Sequence, residues 1–92
     1  MLQREMGCTR EDFQRWLPGA TRRPHLAVGA NQAVLRVDPG TVEICFTPGP
    51  ARNIGLVSIP VLNVTFRFLG VGKAARCEFM AYFDLYTKRG GG

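Results

Sequence analysis

Apolar and polar residues alternate without a break from Leu62 to Phe68, which is the most regular stretch of the chain. Leucine, valine and phenylalanine occupy every second position, and asparagine, threonine and arginine stand between them. A period of two residues is typical of a β-strand with one buried and one exposed face. We therefore predict an antiparallel strand whose apolar face lies against a helical layer.

A β-hairpin is predicted before this strand. Residues 33–37 and 42–46 have strand character, and the Asp-Pro-Gly-Thr sequence between them is a typical turn. A four-residue turn predicts three cross-strand pairs: Val37 with Val42, Leu35 with Ile44, and Arg36 with Glu43. Residues 25–28 are a further candidate strand, and residues 47–53, rich in proline and glycine, predict a stiff loop.

The alternation shifts by one position at Pro60. Val57, Ile59 and Val61 are the apolar residues before the shift, and Leu62 begins the set that follows it. One straight strand cannot turn both sets to the same face. We predict a bulge or a bend near Pro60 that reconciles them, and a separate edge segment at residues 56–59 is compatible with it.

An N-terminal helix is predicted from Thr9, which can act as the N-cap while Asp12 completes a shortened capping box. The helix has one apolar face and a stop signal: Phe13, Trp16 and Leu17, followed by Pro18-Gly19. Residues 1–8 before it read as a frayed lead-in, and residues 90–92 as a disordered tail.

Residues 74–88 are compatible with two structures. As a helix they form one apolar stripe: Ala75, Phe79, Tyr82, Phe83 and Tyr86. As a strand they also alternate: Phe79, Ala81, Phe83 and Leu85. The length of the segment and the Lys88-Arg89-Gly90 ending favour the helix.

Together these elements predict one α+β domain over residues 1–92. It is a two-layer sandwich in which an N-terminal helix, a three- to four-stranded antiparallel meander and a C-terminal helix follow one another. No apolar run is long enough to predict a membrane span, and residues 1–6 do not resemble a secretory signal. The chain holds three widely spaced cysteines, an odd number, which indicates reduced thiols and the cytoplasm.

Residue types that carry catalysis or bind metals are sparse. His25 is the only histidine, and it follows a proline at the start of the candidate strand. Glu43 is the only acid in the middle of a predicted strand, and its predicted role is to pair with Arg36 on the neighbouring strand. We expect no catalytic, cofactor or metal site, because neither a nucleophile–base pair nor a metal-ligand spacing occurs.

The net charge of +5 permits nucleic-acid or anion binding without requiring it. A candidate binding face consists of Arg36, Asn63, Thr65 and Arg67 on the polar side of the sheet, and a candidate anion site of Gly72, Lys73 and Arg76. The helix–meander–helix order and the sequence from Gly72 to Arg76 resemble the double-stranded-RNA-binding domain. Its basic cluster is reduced here to Lys73 and Arg76, so we do not assign the chain to that family. The strand phenylalanines all fall on the predicted core face, which argues against base stacking.

The function expected from the sequence is that of a small, cytoplasmic, non-enzymatic module that binds a protein partner or a second copy of itself. Val34, Cys45 and the residues 57, 59 and 61 offer apolar surface for this on the uncovered side of the sheet. The alternative is a nucleic-acid or anion binder that uses the arginine-bearing sheet face.

Overall fold

The computed structural model of the chain describes residues 1–88, which form six elements. They are β1 (Leu2–Met6), α1 (Arg10–Ala20), β2 (Gln32–Val37), β3 (Gly40–Ile54), β4 (Val57–Leu69) and α2 (Lys73–Tyr86). The strands form one antiparallel sheet in the order β1-β4-β3-β2. The predicted two-layer α+β fold is confirmed, with four strands, and the predicted tail at 90–92 lies outside the described residues.

β1 occupies the stretch for which the sequence predicts a frayed lead-in. It pairs with β4, so that Leu2 lies opposite Phe66 and Met6 opposite Leu62. The alternation of β1 is interrupted by Arg4, which takes a position on the helix side and pairs with Asp84 of α2 at 3.0 Å. Because that partner is 80 residues away, the local sequence pattern does not reveal the strand.

α1 begins as predicted. The Thr9 hydroxyl accepts a hydrogen bond from the Asp12 amide at 3.1 Å, and the Asp12 carboxylate accepts one from the Thr9 amide at 3.4 Å. Hydrogen bonding to the Asp12 carboxylate, first from the Thr9 side chain and then from the Thr9 amide, lowers the pKa of Asp12, because it stabilises the charged form. The capping box therefore satisfies two backbone donors at the helix N-terminus.

The predicted end of α1 at Pro18-Gly19 is wrong, since the helix continues to Ala20. A proline removes only the hydrogen bond of its own amide, which the last turn tolerates here. The helix is then closed by two reverse bonds, from the Arg23 amide to the Pro18 carbonyl at 2.9 Å and from the Arg22 amide to the Gly19 carbonyl at 3.2 Å. This is a Schellman motif.

α2 confirms the helical alternative for the C-terminal segment. Phe83 and Met80 are buried, whereas Phe79 and Tyr86 are partly buried against the core. All six phenylalanines of the chain form one aromatic cluster between sheet and helices. It comprises Phe13, Phe46, Phe66, Phe68, Phe79 and Phe83. Both helices therefore cover the same face of the sheet.

The β2–β3 hairpin differs from the prediction by two residues in register. Its turn is Asp38–Pro39 alone, so that Val37 lies opposite Gly40 and Leu35 opposite Val42. A shift of two residues keeps every side chain on its predicted face. The tight turn depends on Gly40, because a Cβ atom there would lie 2.0 Å from the carbonyl oxygen of Leu69.

The candidate strand at residues 25–28 and the candidate loop at residues 47–53 are both wrong. Residues 25–28 are irregular, although Leu26 and Val28 pack against the core. Residues 47–53 belong to β3, whose 15 residues pair with the 13 of β4 and extend the hairpin well past the helices. We call residues 47–61 the arm.

The predicted irregularity near Pro60 exists as a bulge in the facing strand. Gly49 pairs with Val61 and Arg52 with Ile59, so that Pro50 and Ala51 together oppose the single residue Pro60. β4 itself runs through Pro60 without interruption. Residues 57, 59 and 61 therefore lie on the open face, and Leu62 begins the set on the core face. The prediction that a bulge would bring both sets to one face is wrong.

Candidate interaction surface

The predicted binding residues lie on the open face of the sheet, but only three of them are adjacent. Asn63, Thr65 and Arg67 follow one another along β4, beside Gln3 and Glu5 of β1. Arg36 lies on β2, with β3 between it and β4. The three β4 residues thus form a polar row, and Arg36 lies apart from it.

Arginines of the open face are paired with acids. Arg36 contacts Asp38 at 2.8 Å, Arg67 lies 3.9 Å from Glu43 across the β3–β4 pair, and Arg52 contacts Glu5. The predicted pair of Arg36 with Glu43 is wrong, because the hairpin register sets Val34 opposite Glu43. Exposed pairs of this kind contribute little to stability. Their effect is that the open face carries little net positive charge.

Among residues 1–88, no aromatic side chain lies on the open face. The phenylalanines of the sheet belong to the buried cluster, as the sequence predicts, and Trp16, Tyr82 and Tyr86 are on the helices. Single-stranded nucleic acids are bound mainly by stacking bases on aromatic rings above a basic groove. The open face provides neither feature.

The predicted anion-site residues come together at the N-terminus of α2. Gly72 is the N-cap and makes no side-chain capping bond, while Lys73 and Arg76 are exposed in the first turn. They border an open depression with Met1, Leu2, Cys77 and Met80. The helix dipole favours an anion here, but Gly72, Lys73 and Arg76 are all exposed to solvent and do not enclose a site.

The apolar surface of the arm is the most unusual feature of the exterior. Ile54 and Val57 pair at its end and are 59% and 60% exposed, and Ile59 and Val61 continue the same face toward the body of the sheet. Leu56, in the turn, is fully exposed at 106%. We call Ile54, Val57, Ile59 and Val61 the arm face. Sequence reasoning identifies its β4 residues but misses Ile54, since it assigns no strand before the turn, and it places Leu56 in a strand segment, whereas the structure has it in the turn.

Charge is nearly absent from the arm. Arg52 is the only charged residue between positions 47 and 61, and it contacts Glu5 of β1 on the open face. Arg52 pairs with Ile59 and so lies on the same face of the ribbon, and its contact with Glu5 crosses β4, which separates β3 from β1. The arm face therefore carries one ion pair among its apolar side chains and no net charge.

The cysteines occupy two different environments. Cys8 is buried, and burial, followed by the nearby charge of Asp12, raises the pKa of its thiol to about 11. Cys45 and Cys77 are exposed, Cys45 on the open face as predicted. Within residues 1–88, His, Cys, Asp and Glu side chains do not gather in groups of three or more that could hold a metal ion.

Arg22 and Tyr82 form a contact that the sequence does not reveal. The guanidinium carbon of Arg22 lies 3.7 Å from the centre of the Tyr82 ring, above a small cavity between α1 and α2. The neighbouring Arg23 donates to the carbonyl of Arg36 at 2.8 Å and so links α1 to β2. These arginines stabilise the helix junction.

No family model, curated protein or solved structure matches the chain. No helix of the described residues is long and apolar enough to cross a membrane. Of the surfaces described above, the polar row of β4 is neutralised by acids, whereas the arm face exposes contiguous apolar side chains. Contiguous apolar surface on a small protein is typical of an interaction site.

Proposed function

We propose that the protein is a small non-enzymatic interaction module that binds a protein chain through the arm face. The observation that carries this proposal is a row of four β-branched side chains on one face of a ribbon, of which Ile54 and Val57 are exposed and Ile59 and Val61 are half-buried. Apolar surface gains about 25 cal/mol per Å² when it leaves water. A partner that covers the arm face would supply that gain.

The position of the arm supports the same proposal. A two-stranded ribbon is marginally stable by itself in water, and none of residues 47–61 is buried in the core. The arm therefore adds conformational cost without adding to the core. Its apolar face is better explained by contact with another chain than by the stability of the domain.

A photo-crosslinking amino acid placed at Val57 tests this proposal in cells. The control carries the same amino acid at Ser58, which is the next residue and lies on the other face of the ribbon. We expect covalent protein adducts from position 57 and few from position 58. Equal yields at both positions, or no adduct at either, would contradict binding through the arm face.

The alternative function is nucleic-acid or anion binding through the arginine-bearing sheet face. The net charge of +5 supports it, and the pairing of Arg36 and Arg67 with acids weighs against it. Retention on a polyanion column across a salt gradient tests the alternative. Steep salt dependence that is lost in Arg67→Ala would favour it, and early elution that is unchanged by the substitution would rule it out.

The compartment we propose is the cytoplasm. Three free cysteines, two of them exposed, fit a reducing environment better than an oxidising one. Mass spectrometry of protein that is isolated without reductant and alkylated in denaturant tests this assignment. We expect all three thiols to be modified, whereas a disulfide in the isolated protein would contradict it.

A further inference from the structure

We infer that the outer edge of β2 is a second binding site, which takes an extended, acidic peptide segment as an added strand. β2 pairs with residues 40–45 of β3, away from the arm, so this site goes beyond the proposed function and does not depend on it. Three observations on the described chain carry the inference: the outward backbone groups of Val34, a groove beside them, and the charge at the rim of that groove.

β2 presents every second pair of its backbone groups at the outer edge of the sheet. It is the last strand of the sheet and pairs only with β3. The carbonyl of Asn31, which precedes it, accepts a hydrogen bond from the Phe46 amide of β3 at 2.9 Å. Because consecutive residues of an antiparallel strand direct their backbone groups to opposite sides, those of Gln32, Val34 and Arg36 point away from β3.

Loop residues occupy both ends of this edge and leave its centre open. The Gly29 amide donates to the Gln32 carbonyl at 2.9 Å, and the Arg23 guanidinium donates to the Arg36 carbonyl at 2.8 Å. The two carbonyls are separated by about 13 Å of strand. Between them, no hydrogen bond from another loop of the described chain reaches the amide or the carbonyl of Val34. A donor and an acceptor of this kind are the groups with which a sheet edge binds an added strand.

A groove lies beside the open centre of β2. In the described chain, the backbone of residues 23–27 passes along β2 without a hydrogen bond to it, and the groove between them has a volume of about 460 Å³. Leu26 and Ala27 line one wall, and Val34 and Leu35 line the other. Main-chain bonds to Val34 would hold an extended peptide, and this apolar groove would take one of its side chains.

The charge around the groove favours an acidic peptide. No aspartate or glutamate occurs from residue 13 to residue 37. Arg23 lines the groove, and neither it nor Arg22 forms an ion pair with an acid of the described residues. Glu43, on the neighbouring strand, already lies beside Arg67. A carboxylate of the peptide would therefore meet unpaired guanidinium groups at one end of the groove.

Amide hydrogen exchange, followed by NMR, tests the open edge in the free protein. We expect the Val34 amide to exchange at least about tenfold faster than the Leu35 amide, because the latter points to β3. A Val34 amide that exchanges as slowly as that of Leu35 would show that the edge is already closed, and it would overturn the inference.

Titration with a synthetic peptide tests binding. The probe is Glu-Val-Glu-Val-Glu, acetylated and amidated at its ends, and NMR follows the amide signals of the full chain. We expect saturable shifts centred on Val34 and Arg36 with a dissociation constant below about 1 mM, and weaker binding as salt rises. Two control peptides should bind at least about tenfold more weakly. The first has every amide N-methylated and cannot donate to the Val34 carbonyl, and the second is Lys-Val-Lys-Val-Lys.

Two substitutions at Val34 separate the backbone contribution from that of the side chain. Val34→Pro removes the outward amide, which an edge strand tolerates because that amide is not used within the sheet. It should weaken binding of the acidic peptide at least about tenfold, whereas Val34→Thr keeps the amide and should stay within about threefold of the parent. Circular dichroism checks that both variants fold. If the proline variant does not fold, the N-methylated peptide makes the same test on the natural chain.

Three results of the titration would overturn the inference: no saturable shift up to about 1 mM peptide, equal binding of the acidic and the lysine peptide, or binding that N-methylation does not weaken. Shifts centred on residues 54–61 would assign the peptide to the arm face. That result would support the proposed function and refute a site on β2.

Discussion

Arg22 adopts a backbone conformation that is unusual for its residue type. Its φ of 57° lies in the left-handed region, where the Schellman motif normally places glycine. The conformation costs an L-residue roughly 1–2 kcal/mol. The contact of the guanidinium with Tyr82, worth about 0.5–1 kcal/mol at an exposed site, offsets part of this cost. The positive charge is also favourable beside the C-terminus of α1.

The three thiols should react at clearly different rates. Cys45 and Cys77 are exposed, whereas Cys8 is buried and its raised pKa of about 11 leaves little thiolate at neutral pH. With Ellman's reagent we expect two thiols to react quickly in the native protein and the third only in denaturant. The variant Cys8→Ser should keep both fast thiols, and three equal rates would contradict the burial of Cys8. Because its pKa is raised on folding, Cys8 favours the folded state below pH 9.0, and that stabilisation declines as the pH rises through about 11.

The capping box of α1 gives a second prediction at the residue scale. Thr9→Ala removes the hydroxyl that accepts from the Asp12 amide, and we expect the free energy of unfolding to fall by about 1 kcal/mol. Thr9→Ser keeps the acceptor and should retain most of the stability. Because folding lowers the pKa of Asp12, its stabilising effect is present above its ordinary value of 3.8 and is lost as the pH falls below it. Urea denaturation of the three proteins at neutral and acidic pH measures both effects.

At the scale of the elements, the contact between α1 and α2 depends on a glycine. A Cβ atom at Gly19 would lie 2.2 Å from the hydroxyl oxygen of Tyr86 and 2.6 Å from its Cζ atom. The ring of Tyr86 therefore rests directly on the backbone of α1. A glycine near the end of a helix is unfavourable in itself, but at this position it permits the close approach of the second helix.

The effect of Gly19→Ala on stability should change sign when Tyr86 is replaced. In the natural chain we expect the substitution to destabilise the fold by about 1–3 kcal/mol, because the ring must move out of its packed position. In a Tyr86→Ala background the clash is gone, and the same substitution should stabilise α1 by up to about 1 kcal/mol through helix propensity. Thermal or urea unfolding of the four proteins completes the double-mutant cycle. Additive effects would contradict the contact.

At the scale of the whole molecule, the core and the arm are separate parts. The molecule extends 47 Å along its longest axis against 24 and 21 Å along the others. All buried side chains of the described residues come from positions 8–46 and 62–87. The folded body thus supports the arm without depending on it.

The arm should accordingly be dispensable for folding. Replacing residues 49–61 with an Asn-Gly turn joins Pro48 to Leu62, which already lie opposite each other. We expect the shortened chain to fold with a melting temperature within about 5 °C of the parent, the shift that about 1 kcal/mol produces in a small domain. Loss of cooperative unfolding would show instead that the arm is part of the folding unit.

Several features of this protein can be predicted from local sequence alone. The capping box at Thr9, the alternation from Leu62 to Phe68 and the apolar stripe of α2 depend on residues within a few positions of one another. Their physical basis is the repeat of about 3.6 residues in a helix and 2 in a strand, which the spacing of apolar residues in the sequence follows. The sequence therefore determines the type of most elements, the face of the phenylalanines and the division into two layers.

Strand pairing, register and exposure depend on contacts between residues that are distant in the sequence, and only the tertiary structure shows these contacts. β1 forms by pairing with β4, and Asp84 neutralises the Arg4 side chain that this pairing places on the helix side. The hairpin register sets Gly40 against the Leu69 carbonyl, at a distance that only a glycine permits. The shift of apolar pattern at Pro60 exposes one set of side chains, because the facing strand carries the bulge. The sequence thus contains the apolar residues of the arm face, but only the pairing of two long strands beyond the helices leaves them uncovered.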